Sequence, residues 1–118
     1  MTYASPSQEL LDCMDLCGEC ASICARCSHH CLDMGGVHAS PKHQGVMRDC
    51  AEICSTAVCF MARDSDFSSE LCGVCAQVCE ACADSCERLG KNDKMMQQCA
   101  ETCRRCAEAC GKMAGAHA

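Results

Sequence analysis

Six cysteines fall within the stretch CMDLCGECASICARCSHHC, at Cys13, Cys17, Cys20, Cys24, Cys27 and Cys31, with gaps of four, three, four, three and four residues. The alternation returns at Cys72, Cys75, Cys79, Cys82 and Cys86, and again at Cys99, Cys103, Cys106 and Cys110. Between these runs, Cys50 and Cys54 keep a phase that extends through His43, Met47, Ala57 and Met61. Thiolates are soft ligands and good nucleophiles. Repeated at this density, they point to the capture of metal ions or to thiol redox chemistry.

Residues three and four apart share one face of an α-helix. A strict alternation of the two is the a/d seam of a left-handed bundle with a 3.5-residue repeat. Every cysteine except Cys59, which falls at the outward f position, lies on such a seam. The sequence predicts an all-α, antiparallel up-down-up-down four-helix bundle with a cysteine-lined core, one domain over residues 1–118. The helices are expected at about 5–34, 40–64, 67–89 and 92–112. Ser5-Pro6 and Ser40-Pro41 each place a cap residue before a proline at the first helical position, and Gln8 stands where it could complete a capping box with Ser5. Gly35-Gly36 suit a helix end. The links are short, so consecutive helices are antiparallel neighbours.

Composition narrows the chemistry. The chain carries a net charge of −6 with only 10 Lys and Arg and no basic cluster, which argues against nucleic acid or an anionic membrane as partner. No apolar run approaches the ~20 residues that span a bilayer. The opening residues MTYASPSQELLDC show neither a basic nor an apolar export region. The expectation is a cytoplasmic chain whose thiols stay reduced. Aromatic residues make up 3% and Trp is absent, leaving cysteine, at 18 residues, as the commonest core candidate.

Four readings of a thiol-filled interior compete, with zinc and iron–sulfur centres counted as one. As small hydrophobes, so many cysteines in phase would pack poorly and leave voids. As disulfides, they conflict with the compartment, and a dense sulfur column would shuffle among pairings. CxxC pairs such as Cys72-Cys75 and Cys103-Cys106 resemble zinc sites, but stacked four-thiolate Zn²⁺ centres accumulate buried negative charge. Iron–sulfur clusters need four cysteines at one separate site, which a regular column does not set apart. Cu(I) fits best. It is soft, it accepts two or three sulfurs, and one Cu⁺ per thiolate leaves the column neutral. With bonds of roughly 2.3 Å, a linear S–metal–S unit spans ~4.6 Å, so Cys13-Cys17, Cys20-Cys24 and Cys50-Cys54 could each clasp an ion within one helix. Charge balance predicts a load on the order of 15–20 ions.

The six-cysteine run of the first helix, the segment DCAEIC, and the runs LCGVCAQVCEACADSC and CAETCRRCAEAC resemble the cytosolic copper storage proteins, a family of cysteine-lined four-helix bundles. The resemblance covers nearly the whole chain. It implies Cu(I) bound at many sites along the core, no enzymatic activity, and a homotetramer. Copper chaperones or efflux proteins are the implied donors and acceptors. Where family members often carry cysteine, this chain has His43 and Met96. These neutral, weaker ligands lie at one end of the bundle, where Met34, His38, Met47 and Met95 are expected to join them. We read that end as the copper entrance, against the alternative of apolar methionine packing and solvated histidines. The far end carries Met61, Met113 and His117, while His29 falls outward and His30 on a flank.

The other reading kept open is an iron–sulfur or thiol redox carrier. A nucleophilic cysteine needs a His or carboxylate partner, and no seam position near Cys79 or Cys103 supplies one. Leu16, Ile23, Val46, Ile53 and Phe60 sit at g positions, where they would seal helix seams or form a subunit contact. Asp12, Glu19, Arg26, Glu52, Glu80, Arg88, Arg104 and Arg105 fit solvated faces.

Overall fold

Helix ends in this chain are set by serine, aspartate and glycine at defined places. The computed structural model describes residues 6–115. Helix α1 runs Gln8–Met34, capped by Ser7, whose Oγ accepts from the Leu10 N–H at 3.1 Å. The start is thus later than the expected residue 5. Ser5, and with it the capping box expected with Gln8, lies outside the described residues. Gln8 is the first helical residue and donates to Asp12 Oδ1 at 2.8 Å. Gly35 (φ +74°) ends α1 with its N–H on the Cys31 carbonyl, and Gly36 (φ +59°) opens a 3₁₀ turn, Gly36–Ala39. These positive φ values favour glycine. Helix α2, Pro41–Ala62, starts as its Ser-Pro signal predicts, with Ser40 accepting from the His43 N–H.

Helix α3 spans Ser68–Leu89 without a side-chain cap, and α4 spans Lys94–Gly115. The start of α4 is later than the expected residue 92 because Asp93 provides the cap, its Oδ1 accepting from the Met96 N–H at 2.9 Å. Asp93 Oδ2 also meets His30 Nε2 at 2.8 Å. Burial pushes the Asp93 carboxyl up, but its bonds to His30 and to the Met96 N–H outweigh burial and hold it below its usual value.

Each helix packs on its chain neighbours and α4 closes onto α1, giving a square up-down-up-down bundle 54 × 20 × 19 Å. All seventeen seam cysteines are buried, Cys59 is exposed, and all are free thiols. Met47, Met61, Met96, Ala57, Ala83, Ala100, Ala107 and Ile23 complete the core. Of the g residues, Ile23 is buried, Val46 and Ile53 pack against the core, and Leu16 and Phe60 are half-buried. Arg104 is more than a solvated charge. From α4 it reaches Glu80, Asp84 (2.6 Å) and Glu87 (2.6 Å) on α3, and Asp84 and then Glu87 raise its proton affinity. At this exposure such pairs orient the helices more than they stabilise them.

The turn from α3 to α4 depends on Gly90 for a different reason from Gly35. Its φ is ordinary, at −112°. A Cβ there would overlap Met96 Cβ and stand 2.8 Å from the Cys86 carbonyl oxygen.

Gly90→Ala should therefore lower the unfolding free energy by about 1–3 kcal/mol, the usual range for overpacking, in urea melts of the apo chain. Asp93→Ala should cost about 1 kcal/mol at neutral pH through the lost cap. A carboxylate with a depressed folded pKa stabilises fully above the unfolded value, roughly 3.9, and loses that contribution as pH falls through the folded one. The gap between Asp93→Ala and the parent should narrow below about pH 4. Finally, a thiol-reactive disulfide reagent should label Cys59 promptly and the other cysteines only after denaturation. Prompt labelling of several would contradict their burial.

Candidate metal centre

The four seams converge on one axis, and their sulfurs touch. Cys17 and Cys110 lie 3.4 Å apart, Cys17 and Cys106 3.6 Å, Cys24 and Cys103 3.6 Å, and Cys54 and Cys79 3.6 Å. Each of these pairs joins two different helices. Within one helix, Cys20–Cys24 stands at 3.9 Å, and Cys75–Cys79 and Cys106–Cys110 at 4.0 Å. In the metal-free bundle the closest partner of these thiols comes from a neighbouring helix, with the i,i+4 partner on the same helix only a few tenths of an ångström farther away. Three sulfurs at ~2.3 Å from one ion stand ~4.0 Å apart, and four stand ~3.8 Å apart. The observed spacing suits ions shared among helices.

Groups of four such sulfurs recur along the axis. Cys17, Cys75, Cys106 and Cys110 form one, and Cys54, Cys75, Cys79 and Cys106 another. Cys20, Cys50, Cys54 and Cys79 follow, then Cys20, Cys24, Cys50 and Cys103, then Cys24, Cys82, Cys99 and Cys103. The sulfurs of each group all lie within 4.8 Å of one another, and each group shares members with another. The remaining seam cysteines, Cys13, Cys27, Cys31, Cys72 and Cys86, are buried toward the two ends.

At the end where α1 passes to α2, His43 takes the next place in the column. Its Nε2 lies 3.4 Å from Cys31 Sγ, and its Nδ1 lies 2.6 Å from Ser85 Oγ. Burial, followed by His38, holds His43 below its ordinary pKa, so it stays neutral and able to donate a lone pair. Met47 and Met96 are wholly buried beside this layer, whereas Met34 is 45% exposed and His38 and Met95 are half-buried. Met34 thus lies outside the core. A Gln44–Ser28 pair braces α1 against α2 here, Ser28 Oγ donating to Gln44 Oε1 at 2.6 Å. Ser85 and Gln44 escaped the sequence reading; their only signal was a polar side chain at a core-facing position. At the far end Met61 is buried and Met113 half-buried, while His117 lies outside the described residues. His29 is exposed and His30 is taken by Asp93, so neither faces the column.

The thiols share protons along the column. Cys110 keeps its proton, pushed up first by its bond to Cys106. It also lies 3.8 Å from Cys13. Bonding to Cys110 comes first in lowering Cys13 and Cys106, against burial. Toward the His43 end, burial pushes the Cys31 thiol up. One thiolate is thus tolerated where a neighbouring S–H faces it, but ionising all of them together is not, unless cations enter. The sequence reading found no His beside a thiol in mid-bundle. The structure supplies a Cys31–His43 pair where α1 passes to α2, with Cys31 fully buried rather than presented as a reactive nucleophile.

Comparison with known proteins agrees with this geometry. A crystallised protein of Nitrosospira multiformis is 48% identical, with a TM-score of 0.87 over 92% of this chain and 97% of that one. The Cu(I)-bound copper storage protein BsCsp3 is 39% identical, with a TM-score of 0.81 over 91% and 99% of the two chains. A cytosolic copper storage protein from Streptomyces lividans, solved with five coppers, is 28% identical, with a TM-score of 0.85 over 92% and 93%. The uncharacterized cysteine-rich protein YhjQ of Bacillus subtilis is 40% identical over 66 residues, 56% of this chain and 61% of that relative's length. Residues 6–115 match the family described as Csp, copper storage protein. With seventeen seam thiols turned onto one axis of a four-helix bundle, the chain belongs to the copper storage protein family.

Proposed function

We propose that this chain stores Cu(I) in the cytosol as one Cu(I)-binding domain. The ligands are the seventeen seam cysteines, with His43, Met47 and Met96 serving the ions nearest the mouth. The overlap of the sulfur quartets carries this reading. A sulfur that belongs to two quartets cannot serve two separate tetrathiolate Zn²⁺ or iron–sulfur centres without bridging them, and each added Zn²⁺ centre adds buried negative charge. Cu(I) bridged by shared thiolates has neither difficulty, since near-unit Cu:thiolate loading is neutral. The Cu(I)-bound and five-copper structures of relatives with the same fold support it, as does the description of one of them as cytosolic.

The burial of the thiols supports storage rather than catalysis. They are sealed from solvent, and the ions they take up are the cargo. Copper passes in and out at the His43 end, where neutral ligands relay an ion without locking it into a charge-paired thiolate site. Copper-carrying or copper-exporting proteins are the partners on this reading, and a homotetramer is the proposed assembly.

An anaerobic Cu(I) titration against a competing chelator tests the proposal. On the order of 15–20 equivalents should bind, with about one proton released per thiol ligated. Saturation at one or two equivalents would sink it.

A further inference from the structure

The two connections at the His43 end, Gly35–Ser40 and Gly90–Asp93, enclose a cleft of about 330 Å³. Its lining includes Met34, His38, Arg88, Lys91, Asn92 and Asp93. The cleft offers soft donors. The Met34 thioether is 45% exposed. His38 Nε2 lies 3.0 Å from the Leu89 carbonyl oxygen, which can only accept, so Nε2 carries the proton and the Nδ1 lone pair of the neutral ring is left over. The cleft also has cations. Arg88 and Lys91 are exposed, while the facing carboxylate, Asp93, is already bonded to His30 and to the Met96 N–H. The cleft adjoins the column, because Gly90 in its lining packs directly against the side chain of buried Met96.

Charge along the bundle has the same polarity. Lys42, Arg48, Arg88, Lys91 and Lys94 gather at this end, with exposed Asp33 and Asp49 among them and with Asp84 and Glu87 already paired to Arg104. Glu9, Asp12, Asp64, Asp66, Glu70 and Glu108 gather toward the other, where the cations Arg63 and Lys112 stand among them. In a chain of net charge −6, the cations are concentrated where copper is read to enter. A free Cu⁺ ion would be repelled by such a rim, whereas a carrier with the opposite charge would be drawn to it.

We propose that this cleft receives Cu(I) as an anionic bis-thiolate complex of a small thiol. The proposal rests on the reading that copper enters at the His43 end. The copper–sulfur core of the complex bears one negative charge, from one Cu⁺ and two thiolates. Arg88 and Lys91 attract it, and Met34 Sδ or His38 Nδ1 takes the place of one carrier thiolate on the metal. When the copper moves on to a column cysteine, that cysteine's proton leaves on one carrier sulfur as a thiol, and the other carrier sulfur leaves as a thiolate. Charge is the same before and after, copper stays at +1, and no electron moves.

Stopped-flow uptake by the full apo chain, kept anaerobic, tests this with two copper sources: the anionic Cu(I)–glutathione complex and the cationic Cu(I)–acetonitrile complex. Arg88→Glu/Lys91→Glu should slow delivery from the glutathione complex about tenfold at low salt, with the effect fading as salt rises. Delivery from the acetonitrile complex should be as fast as before or faster. Met34→Leu/His38→Gln should slow both. If the charge reversal changes both sources equally, or neither, the anionic carrier is wrong. His43→Gln slowing both sources in that case leaves the entrance in place and removes only the carrier. Uptake altered instead by Glu9→Gln/Glu70→Gln at the far end, and not by the charge reversal, places the entrance elsewhere and overturns both readings.

Discussion

The constraint that shapes this protein is the free energy of burying ionised sulfur. Seventeen thiols lie out of contact with water around one axis, their sulfurs in van der Waals contact across the helices. As thiols they are weakly polar and share protons with one another. As thiolates they repel, and a medium of low dielectric does little to weaken that repulsion. A soft monovalent cation resolves the conflict, because each one that enters replaces a proton and leaves the total charge unchanged. The column is therefore stable when protonated and stable when metallated, and the passage between the two is an exchange of protons for metal.

The rest of the fold serves that column. Cysteine is small, so the helices approach closely enough for sulfurs on neighbouring helices to meet at 3.4–3.8 Å. The apolar burial that thiols do not supply comes from the margins: Ile23 within the core, Val46 and Ile53 packed on its flank, and methionines at each end. Arg104 ties α4 to α3 on the outside, where solvent keeps its three carboxylate partners from costing much. Gly90 lets Met96 press down over one end of the column.

The two ends of the bundle are not alike. One is closed by Met61 with Met113 beside it, beneath an acidic surface. The other ends in a buried histidine held between a thiol and a serine, and opens toward a cleft that pairs soft donors with cations. On the proposed reading, in which copper enters at the His43 end, this asymmetry lets ligands there release an ion that deeper ligands retain.

Much of this was legible in the sequence. Periodicity alone assigned the four helices, turned every cysteine but Cys59 inward and placed His43, Met47 and Met96 on the same seams, since a 3.5-residue repeat leaves a helix only one face to bury. Local chemistry marked the Ser40-Pro41 start of α2. It placed the starts of α1 and α4 early, because Ser7 and Asp93 supply the caps and only backbone geometry decides which side chain reaches a free N–H. The pairing of thiols was beyond the sequence as well. Spacing along a helix describes neighbours on that helix, whereas the closest sulfurs belong to different ones and their register depends on how the helices settle against each other. The Ser85 contact to His43 and the joining of Met34, His38, Arg88 and Lys91 into one cleft have the same origin. Residues far apart in the chain meet only once four rods have packed, and the depth at which each rod sits against its neighbours is a property of the assembled core.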